Sequence, residues 1–239
     1  MNLPIGRNAL LQALPAAALG LLTPHLNPRP LVRGDVLIRA GERVSVVYFP
    51  VSGVVSLVVP TAGGIGVESA MIGREGLVGG CLAPEPARAF TDAIVQLPGA
   101  ALAISRAALA GAAQRSAPIH AMIARFQDLL LAQTQQAAAC NALHGVVART
   151  CRWLLQVRQR SDDDMLPLTQ EFMAQMLGVQ RTTVTLVTRT LQDAGLIKQE
   201  RGRLIVLDQN GLMNAACECY ATMTRQLEEM LPAHEPGAL

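Results

Sequence analysis

The chain has 239 residues, about half of them hydrophobic, and its formal net charge at pH 7 is only +2. This length allows one large domain or two modest ones, with enough apolar residues for a sizeable core. The small net charge excludes a polycation that binds nucleic acid over its whole surface. Aromatic residues make up only 3% of the chain, which predicts a core of aliphatic side chains.

Residues 9–22 are apolar and follow Arg7, a pattern similar to that of a secretory signal peptide. Gln12 and Pro15 interrupt this run, however, and its leucines recur at the spacing of a short amphipathic helix. The run is also too short to span a membrane. We therefore expect a helix that caps the first domain of a cytoplasmic protein, with no membrane partner.

Between residues 28 and 104 the helical period is absent, and short apolar runs alternate with glycine-rich turns. The pattern predicts strands at residues 34–38, 46–49, 53–59, 65–68, 91–97 and 100–104, with a glycine-punctuated loop and strand at 71–80. Short strands separated by such turns are typical of an antiparallel β-roll or barrel.

A long helix is predicted after a short one at residues 105–113. It begins near Pro118 and meets neither proline nor glycine before Gly145, so its roughly 26 residues would extend ~39 Å. Its apolar stripe consists of Ile119, Met122, Ile123, Phe126, Leu129, Leu130, Ala137 and Cys140. We expect the helix of a second subunit to cover this stripe in a parallel coiled coil. The alternative is that the β-roll of the same subunit alone covers it.

Gly145 is the predicted hinge to a further helix over residues 146–160. Four side chains of this helix are expected to face inward: Val147, Cys151, Leu154 and Leu155. The three aspartates at 162–164 predict a solvated loop rather than a carboxylate site. Residues 211–231 predict one more helix, followed by a disordered tail.

The most informative stretch is residues 168–208. Thr169 is a favourable N-cap residue for a short amphipathic helix, which Gly178 ends. A second helix is predicted from about Arg181 to Ala194, with Gly195 after it. Two helices joined by a short turn that contains glycine are typical of a helix-turn-helix.

The second helix of this pair has two different faces. Val184, Val187 and Leu191 form a stripe that faces a core. The opposite side is polar and nearly free of acids, and it carries Thr182, Thr185, Leu186 and Arg189. Residues 196–199 and 204–207 predict two strands joined by the basic turn Arg201-Gly202-Arg203. This order favours a winged helix-turn-helix over the alternative of a packed helical subdomain with a hairpin.

Five cysteines occur, and their spacing shows no paired framework; Cys217-Glu218-Cys219 is not a C-x-x-C motif. An odd number of cysteines without a secretory signal fits a reducing cytoplasm. The four histidines, including His144, are scattered. We therefore expect no metal, iron–sulfur or haem site, and metal binding by the cysteines is the alternative. Since motifs of hydrolases, metalloproteases and P-loop enzymes are missing from the sequence, we also expect no catalytic residues.

The order of β-roll, long helix and winged helix-turn-helix resembles the Crp–Fnr family of bacterial transcription regulators. The resemblance covers nearly the whole chain. The motifs that carry it are Gly34-Asp35 with Gly41-Glu42, Tyr48-Phe49-Pro50 with Gly53, and Thr169 through Ile197. It implies an α+β fold with a cyclic-nucleotide-binding-like β-roll at residues 1–116, a dimerisation helix at 117–144 and a DNA-binding domain at 145–239.

The resemblance also implies a homodimer that reads a near-palindromic site in double-stranded DNA, with RNA polymerase as a further partner. The residues expected at the DNA are Thr169, Gln180, Arg181, Thr182, Thr185, Leu186, Arg189, Arg201 and Arg203. Arg181 keeps the first arginine of the family's recognition helix, but Thr182 replaces a glutamate and Leu186 replaces a second arginine. The operator should therefore differ from the usual half-site, with Leu186 against a thymine methyl group.

Family members that bind cyclic AMP hold its ribose with a Gly-Glu pair and its phosphate with an arginine about a dozen residues later. In this chain Gly80 follows Gly79, and Thr91 stands at the position expected for the arginine. The residues of the corresponding effector pocket are Arg74, Glu75, Gly79, Gly80, Arg88 and Thr91. Because a buried phosphate without a guanidinium partner is poorly stabilised, we expect no cyclic-AMP binding in the usual mode.

Two functions are compatible with these sequence features. The first is a sequence-specific transcription regulator whose β-roll is a scaffold or an effector domain. The alternative is a sensor of a cyclic nucleotide or cyclic dinucleotide, in which binding to the β-roll gates binding to DNA. The iron–sulfur branch of the family needs an N-terminal cysteine cluster, and no cysteine precedes Cys81.

Overall fold

The computed structural model describes residues 4–63, 66–80, 88–161 and 163–230. An antiparallel sheet lies in the N-terminal part, one long helix in the middle, and a helix-turn-helix with a small sheet in the C-terminal part. The predicted α+β fold class is confirmed. Within the described ranges, every helix is too short or too polar to span a membrane.

Two short helices precede the sheet, where the sequence predicts one. They are α1 (Ala9–Gln12) and α2 (Ala16–Leu22). Pro15 separates them, since its ψ of 145° is not helical. Asn8 attaches this segment to the sheet because its side-chain amide donates to the carbonyl oxygens of Pro50 and Gly76, both at 2.9 Å. The N-terminal segment therefore packs on the first domain as a cap.

The N-terminal sheet has five strands among the described residues: β1 (Asn27–Leu31), β2 (Val36–Ile38), β3 (Val46–Val59), β4 (Val67–Ile72) and β5 (Asp92–Ser105). All pairings are antiparallel, in the order β1-β5-β3-β4, and β2 also pairs with β5. β3 and β5 each replace two predicted strands. The register between them shifts beside Pro50, and Gly53 has a φ of +80°. These residues mark bulges inside one strand rather than strand ends.

Two helices follow the sheet. Ser105 caps α3 (Arg106–Arg115) by accepting a hydrogen bond from the Ala108 amide, and α4 (Ala117–Leu143) comes next. The predicted long helix is confirmed, and its bounds differ by one or two residues from the prediction. α4 ends at Leu143, and the extended backbone of the C-cap residue His144 leads into Gly145.

The apolar stripe of α4 faces the core of its own subunit. Its buried members are Ile119, Met122, Ile123, Phe126, Leu129, Ala137 and Cys140, and Leu130 is half-buried beside them. The first five share one core with the β-roll and the N-terminal helices. The expectation that a partner helix covers this stripe is therefore corrected, because other parts of the same subunit already cover it. The β-roll alone, as in the predicted alternative, covers only part of the stripe, since Cys140 lies in a separate cluster with Cys217 and Cys219.

The C-terminal part contains α5 (Val146–Arg160), β6 (Met165–Leu166), α6 (Gln170–Leu177), α7 (Arg181–Asp193), β7 (Ile197–Glu200), β8 (Arg203–Val206), α8 (Gln209–Ala215) and α9 (Cys219–Met230). The small sheet has the order β6-β8-β7.

α5 is buried through Cys151, Leu154 and Leu155 as predicted, but Val147 is 38% exposed. The predicted single helix at 211–231 is two helices, α8 and α9, with a break at Cys217. The predicted tail beyond residue 230 lies outside the described residues.

The β-roll and the helix-turn-helix share a second hydrophobic core. Val54, Val58, Met71 and Leu97 of the roll lie in one cluster with Trp153 and the buried faces of α5, α6 and α7. A change in the position of one part would therefore have to break apolar contacts with the other.

Candidate nucleic-acid interface

The turn between α6 and α7 has the geometry that the sequence predicts. The Thr169 hydroxyl accepts a hydrogen bond from the Phe172 amide at 3.2 Å, so Thr169 is the N-cap of α6. Gly178 ends α6 with a φ of +65°, a left-handed conformation that favours glycine. An added Cβ at Gly178 would lie 3.1 Å from the Val67 side chain on β4. This turn therefore fits closely against the β-roll.

Helix α7 presents the predicted polar face to solvent. Val184, Val187 and Leu191 are buried in the shared core. The exposed residues include Gln180, Arg181, Thr182, Thr185, Leu186 and Arg189. Leu186 is 68% exposed, although exposing a leucine side chain to water is unfavourable. Its side chain is therefore available for an apolar contact. The exposed face of α7 combines hydroxyl, guanidinium and methyl groups, which are the groups that read base edges.

Gln170 is an additional residue of this surface that sequence reasoning missed. The Thr185 hydroxyl lies 2.9 Å from Gln170 Oε1 and 3.1 Å from the Arg181 carbonyl oxygen. This bond links the first turn of α6 to the exposed face of α7. The sequence signal is the position of Gln170 directly after the N-cap Thr169, where a side chain lies close to the start of the following helix.

The wing is less positive than its sequence indicates. Gly202, with a φ of +77°, forms the turn between β7 and β8, and Arg201 is exposed beside it. Glu200 Oε1 lies 3.0 Å from Lys198 Nζ, and Arg203 Nε donates to Glu200 Oε2 at 2.6 Å. Hydrogen bonds from Lys198 and Arg203 lower the pKa of Glu200. Arg203 is therefore already paired with the Glu200 carboxylate, which a DNA phosphate would have to displace.

Two polar contacts join α5 to the β-roll. Trp153 Nε1 donates to Glu68 Oε1 at 2.9 Å, and Arg160 Nε donates to Glu75 Oε1 at 2.6 Å. The side chains of Arg160 and Glu75 are 4% and 9% exposed, so the ion pair is buried. Glu75 also accepts a hydrogen bond from the Gly73 amide at 3.0 Å. Glu75 was expected in an effector pocket, but its carboxylate is occupied by Arg160.

Burial raises the pKa of Glu68 to about 7. Hydrogen bonds from Ser56 and Trp153 and the charges of Arg152 and Arg160 lower this pKa, but they do not offset the loss of hydration. Among the described residues, Glu68 Oε2 is buried and has no hydrogen-bond partner. Glu68 is therefore a carboxyl that can exchange a proton near neutral pH at the junction of the two parts of the chain.

The other expected effector residues are not arranged as one ligand site. Arg88 Nη1 donates to the Gly41 carbonyl oxygen at 2.7 Å, and Arg74 is exposed. An added Cβ at Gly80 would lie 1.7 Å from Leu77, so this position is closely packed. Thr91 is half-buried at the start of β5. Residues 81–87, the remainder of the expected phosphate loop, lie outside the described residues.

The structure brings together four residues from two distant parts of the sequence. Cys140, His144, Cys217 and Cys219 have potential ligand atoms that all lie within 4.8 Å of one another. Cys140 Sγ is 3.5 Å from Cys217 Sγ, and Cys219 Sγ is 3.6 Å from His144 Nδ1. The expectation of no metal site is therefore not confirmed. The available signal was the Cys-x3-His spacing at the end of α4, which places both side chains one helical turn apart.

The thiols of this cluster differ in their acidity. Burial would raise the pKa of Cys140, but the Arg152 guanidinium and the His144 ring hold it below its ordinary value. Burial raises the pKa of Cys217 to about 12 and also raises that of Cys219. A hydrogen bond with Cys140 raises the pKa of His144.

A helix pair with a glycine turn, an exposed polar second helix and a two-stranded wing defines the winged helix-turn-helix class of DNA-binding folds. Residues 148–215 match the family model described as the Crp-like helix-turn-helix domain. The chain therefore contains a Crp-like helix-turn-helix domain.

Solved structures extend the comparison beyond this domain. FixK2 from Bradyrhizobium japonicum is 15% identical, with a TM-score of 0.69 over 80% of this chain and 98% of that one. CLP from Xanthomonas campestris, a c-di-GMP-responsive global regulator, is 20% identical, with a TM-score of 0.66 over 81% and 100%. A CRP-family transcriptional regulator from Thermus thermophilus is 19% identical, with a TM-score of 0.67 over 79% and 96%. These likenesses show the fold. A search of curated protein sequences finds no significant match.

Proposed function

We propose that this chain is a sequence-specific DNA-binding transcription regulator that acts as a homodimer on a near-palindromic site. The observation that carries the proposal is the division of α7, which buries Val184, Val187 and Leu191 and leaves its polar face exposed. Because α7 is anchored by its apolar side, the exposed side is free to enter the major groove. Binding to chromosomal DNA would place the protein in the cytoplasm, with RNA polymerase as its further partner.

Each expected contact residue has a role in this proposal. Arg181, at the start of α7, would pair with guanine, and Leu186 would meet a thymine methyl group. Thr169 at the first turn of α6 and Arg201 on the wing would contact phosphates and so set the position of α7. Gln180, Thr182, Thr185, Arg189 and Arg203 would supply the remaining polar contacts.

The dimer in this proposal uses the exposed face of α4. Ala124, Leu131 and Ala138 recur every seven residues on that face, and Leu131 is 57% exposed. Small residues around one leucine allow two helices to approach closely, and a heptad repeat favours a left-handed pair. Two-fold symmetry would then place two copies of α7 about one turn of DNA apart.

The β-roll in this proposal does not bind cyclic AMP in the usual mode. The support is the Glu75–Arg160 ion pair, the packing of Gly80 against Leu77 and the bond from Arg88 to Gly41. Calorimetry with cyclic AMP and with cyclic di-GMP tests this part separately. Tight binding of either ligand to the β-roll would favour the sensor function, in which the shared core transmits binding to α7.

The test of the main proposal is selection of binding sites by the purified full chain from a random pool of duplex DNA. We expect a near-palindrome with half-site centres about 10 base pairs apart. Arg181→Ala should weaken binding to the selected site by about 1–3 kcal/mol and relax the preference at one base position. Arg225→Ala, which removes the same charge from α9, is the control. An unselective pool, or an equal loss for Arg181→Ala on every sequence, would contradict base readout by this residue.

A further inference from the structure

Four side chains from two distant parts of the chain converge at the C-terminal end of α4. Cys140 lies in the last turn of α4 and His144 directly after this helix, while Cys217 lies in the break between α8 and α9 and Cys219 begins α9. The three thiols are 0–7% exposed, and the His144 side chain is 21% exposed. The cluster is therefore buried, with one edge at the surface.

We propose that Cys140, His144, Cys217 and Cys219 form a structural zinc site. Three thiolates and one imidazole are a common ligand set for tetrahedral Zn²⁺, and soft sulfur ligands disfavour Mg²⁺ and Ca²⁺. Four protein ligands leave no open position, so the site is structural rather than catalytic.

The distances fit this geometry. With Zn–S bonds of about 2.3 Å, the sulfur atoms of a tetrahedron lie about 3.8 Å apart, and sulfur lies slightly closer to nitrogen. The Cys140–Cys217 separation of 3.5 Å and the Cys219–His144 separation of 3.6 Å match these edges. The longest separation in the set, 4.8 Å at most, needs a contraction of about 1 Å when the metal binds.

The surroundings of the four ligands also suit a metal ion. His144 points Nδ1 at Cys219, while its Nε2 lies 3.1 Å from Glu218 Oε1. A carboxylate on the second ring nitrogen orients a metal-bound histidine and increases its basicity. Gln136 Nε2 donates to Cys219 Sγ at 3.0 Å, as a group that stabilises a thiolate would.

The charge of the loaded site is compensated nearby. Zn²⁺ with three thiolates and a neutral histidine has a net charge of about −1. The guanidinium groups of Arg149 and Arg152 both interact electrostatically with Cys140. Binding would release the three thiol protons to solvent, so affinity should fall as pH falls.

The site would hold α9 against the end of α4 beside Gly145. α9 packs along α4 and also contacts α5, which begins the DNA-binding domain. A metal that fixes this junction would fix the direction in which α5 leaves α4. The zinc site is therefore a further feature of the chain, and its existence does not depend on DNA binding.

The first experiment measures metal content in the full chain purified with reductant. We expect about one zinc ion per chain, and Co²⁺ added after chelation should give the thiolate charge-transfer and intense visible bands of a tetrahedral site. The double variant Cys217→Ala/Cys219→Ala should lose both, while Cys151→Ala, which removes a buried thiol elsewhere, should retain them. Circular dichroism establishes that each variant is folded.

The second experiment uses a surface variant that leaves all four ligands intact. Glu218→Gln should weaken Zn²⁺ binding about 10–100-fold, as measured by competition with a chelating dye, whereas Glu228→Gln on α9 should not. Wild-type affinity in Glu218→Gln would overturn the assignment of Glu218 as the carboxylate that orients His144. Folded, reduced protein without a Co²⁺ spectrum would overturn the site, and a Cys140–Cys217 disulfide in that protein after oxidation would assign the cluster to redox chemistry instead.

Discussion

Glu68 is a residue at which burial opposes ionisation. Its carboxyl lies between the β-roll and α5, where Trp153 donates to one oxygen and the other has no hydrogen-bond partner among the described residues. Arg152 and Arg160 are the nearby cations, and Ser56 is the nearby hydroxyl. Loss of water from this carboxyl outweighs their combined attraction, so the neutral form is favoured up to about neutral pH.

The free energy of unfolding should therefore decrease as pH rises. The pKa of Glu68 is about 7 in the folded chain, above its ordinary value of 4.5, so the folded chain binds more protons between these pH values. Glu68 contributes this stability fully below about pH 4.5 and loses it as pH rises through 7, by up to about 3 kcal/mol. Glu68→Gln keeps an acceptor for Trp153 and should remove this slope.

Urea unfolding of wild type and Glu68→Gln between pH 5 and 8.5 measures the difference directly. The difference isolates Glu68, because the remaining titrating groups are common to both chains. Glu228→Gln, an exposed change on α9, serves as the reference and should leave the slope unchanged. Parallel curves for wild type and Glu68→Gln would mean that Glu68 is ionised in the folded chain throughout this range.

At the scale of elements, the sequence predicts what local patterns encode. The periodicity of α4, α5 and α7, the N-cap Thr169 and the glycine turns are short-range features, and their predicted bounds agree with the structure. The sequence predicts strand ends at Pro50 and Gly53, because a single chain segment does not reveal that the partner strand β5 adapts its register. Contacts over long separations, such as Cys140 with Cys217, follow from packing and have no local signature.

The glycine turn between α6 and α7 gives a prediction at this scale. Gly178→Ala should destabilise the chain by about 1–2 kcal/mol, because φ of +65° is unfavourable for alanine. The new methyl group would also press on Val67, 3.1 Å away, which should add about 1 kcal/mol. Gly195→Ala has a similar φ of +73° and open space around its Cβ, so it separates the two effects.

The measurement is the free energy of unfolding in urea for both glycine variants. We expect Gly178→Ala to be the more destabilising, and the extra loss should shrink in combination with Val67→Ala. If both single variants lose the same free energy of unfolding, the methyl group at residue 178 is accommodated beside Val67 without destabilising the chain. Such a result would mean that β4 and the helix-turn-helix fit together more loosely than their contact distances indicate.

Across the whole molecule, the orientation of α7 depends on several connections to the rest of the chain. They include the shared core, the Glu68–Trp153 hydrogen bond, the buried Glu75–Arg160 ion pair and the packing of α9 between α4 and α5. Removing one partner of a buried ion pair typically costs about 3–5 kcal/mol, because the other charge is then left buried without a counter-charge. The apolar stripe of α4 is used within the subunit, and this leaves the opposite face of the same helix for a second copy.

That opposite face gives the prediction on assembly. Leu131, exposed on α4 between Ala124 and Ala138, would pack against its own copy across a two-fold axis. Leu131→Arg would place two like charges at the axis, so the dimer should dissociate at least about tenfold more readily, a change of about 1.4 kcal/mol.

Sedimentation over a range of concentrations measures this dissociation, with circular dichroism to verify folding. Leu207→Arg changes a leucine of equal exposure, 58%, outside α4 and should leave assembly intact. If Leu131→Arg dimerises with unchanged affinity, the interface lies elsewhere. A contact other than α4 would then determine the distance between the two copies of α7.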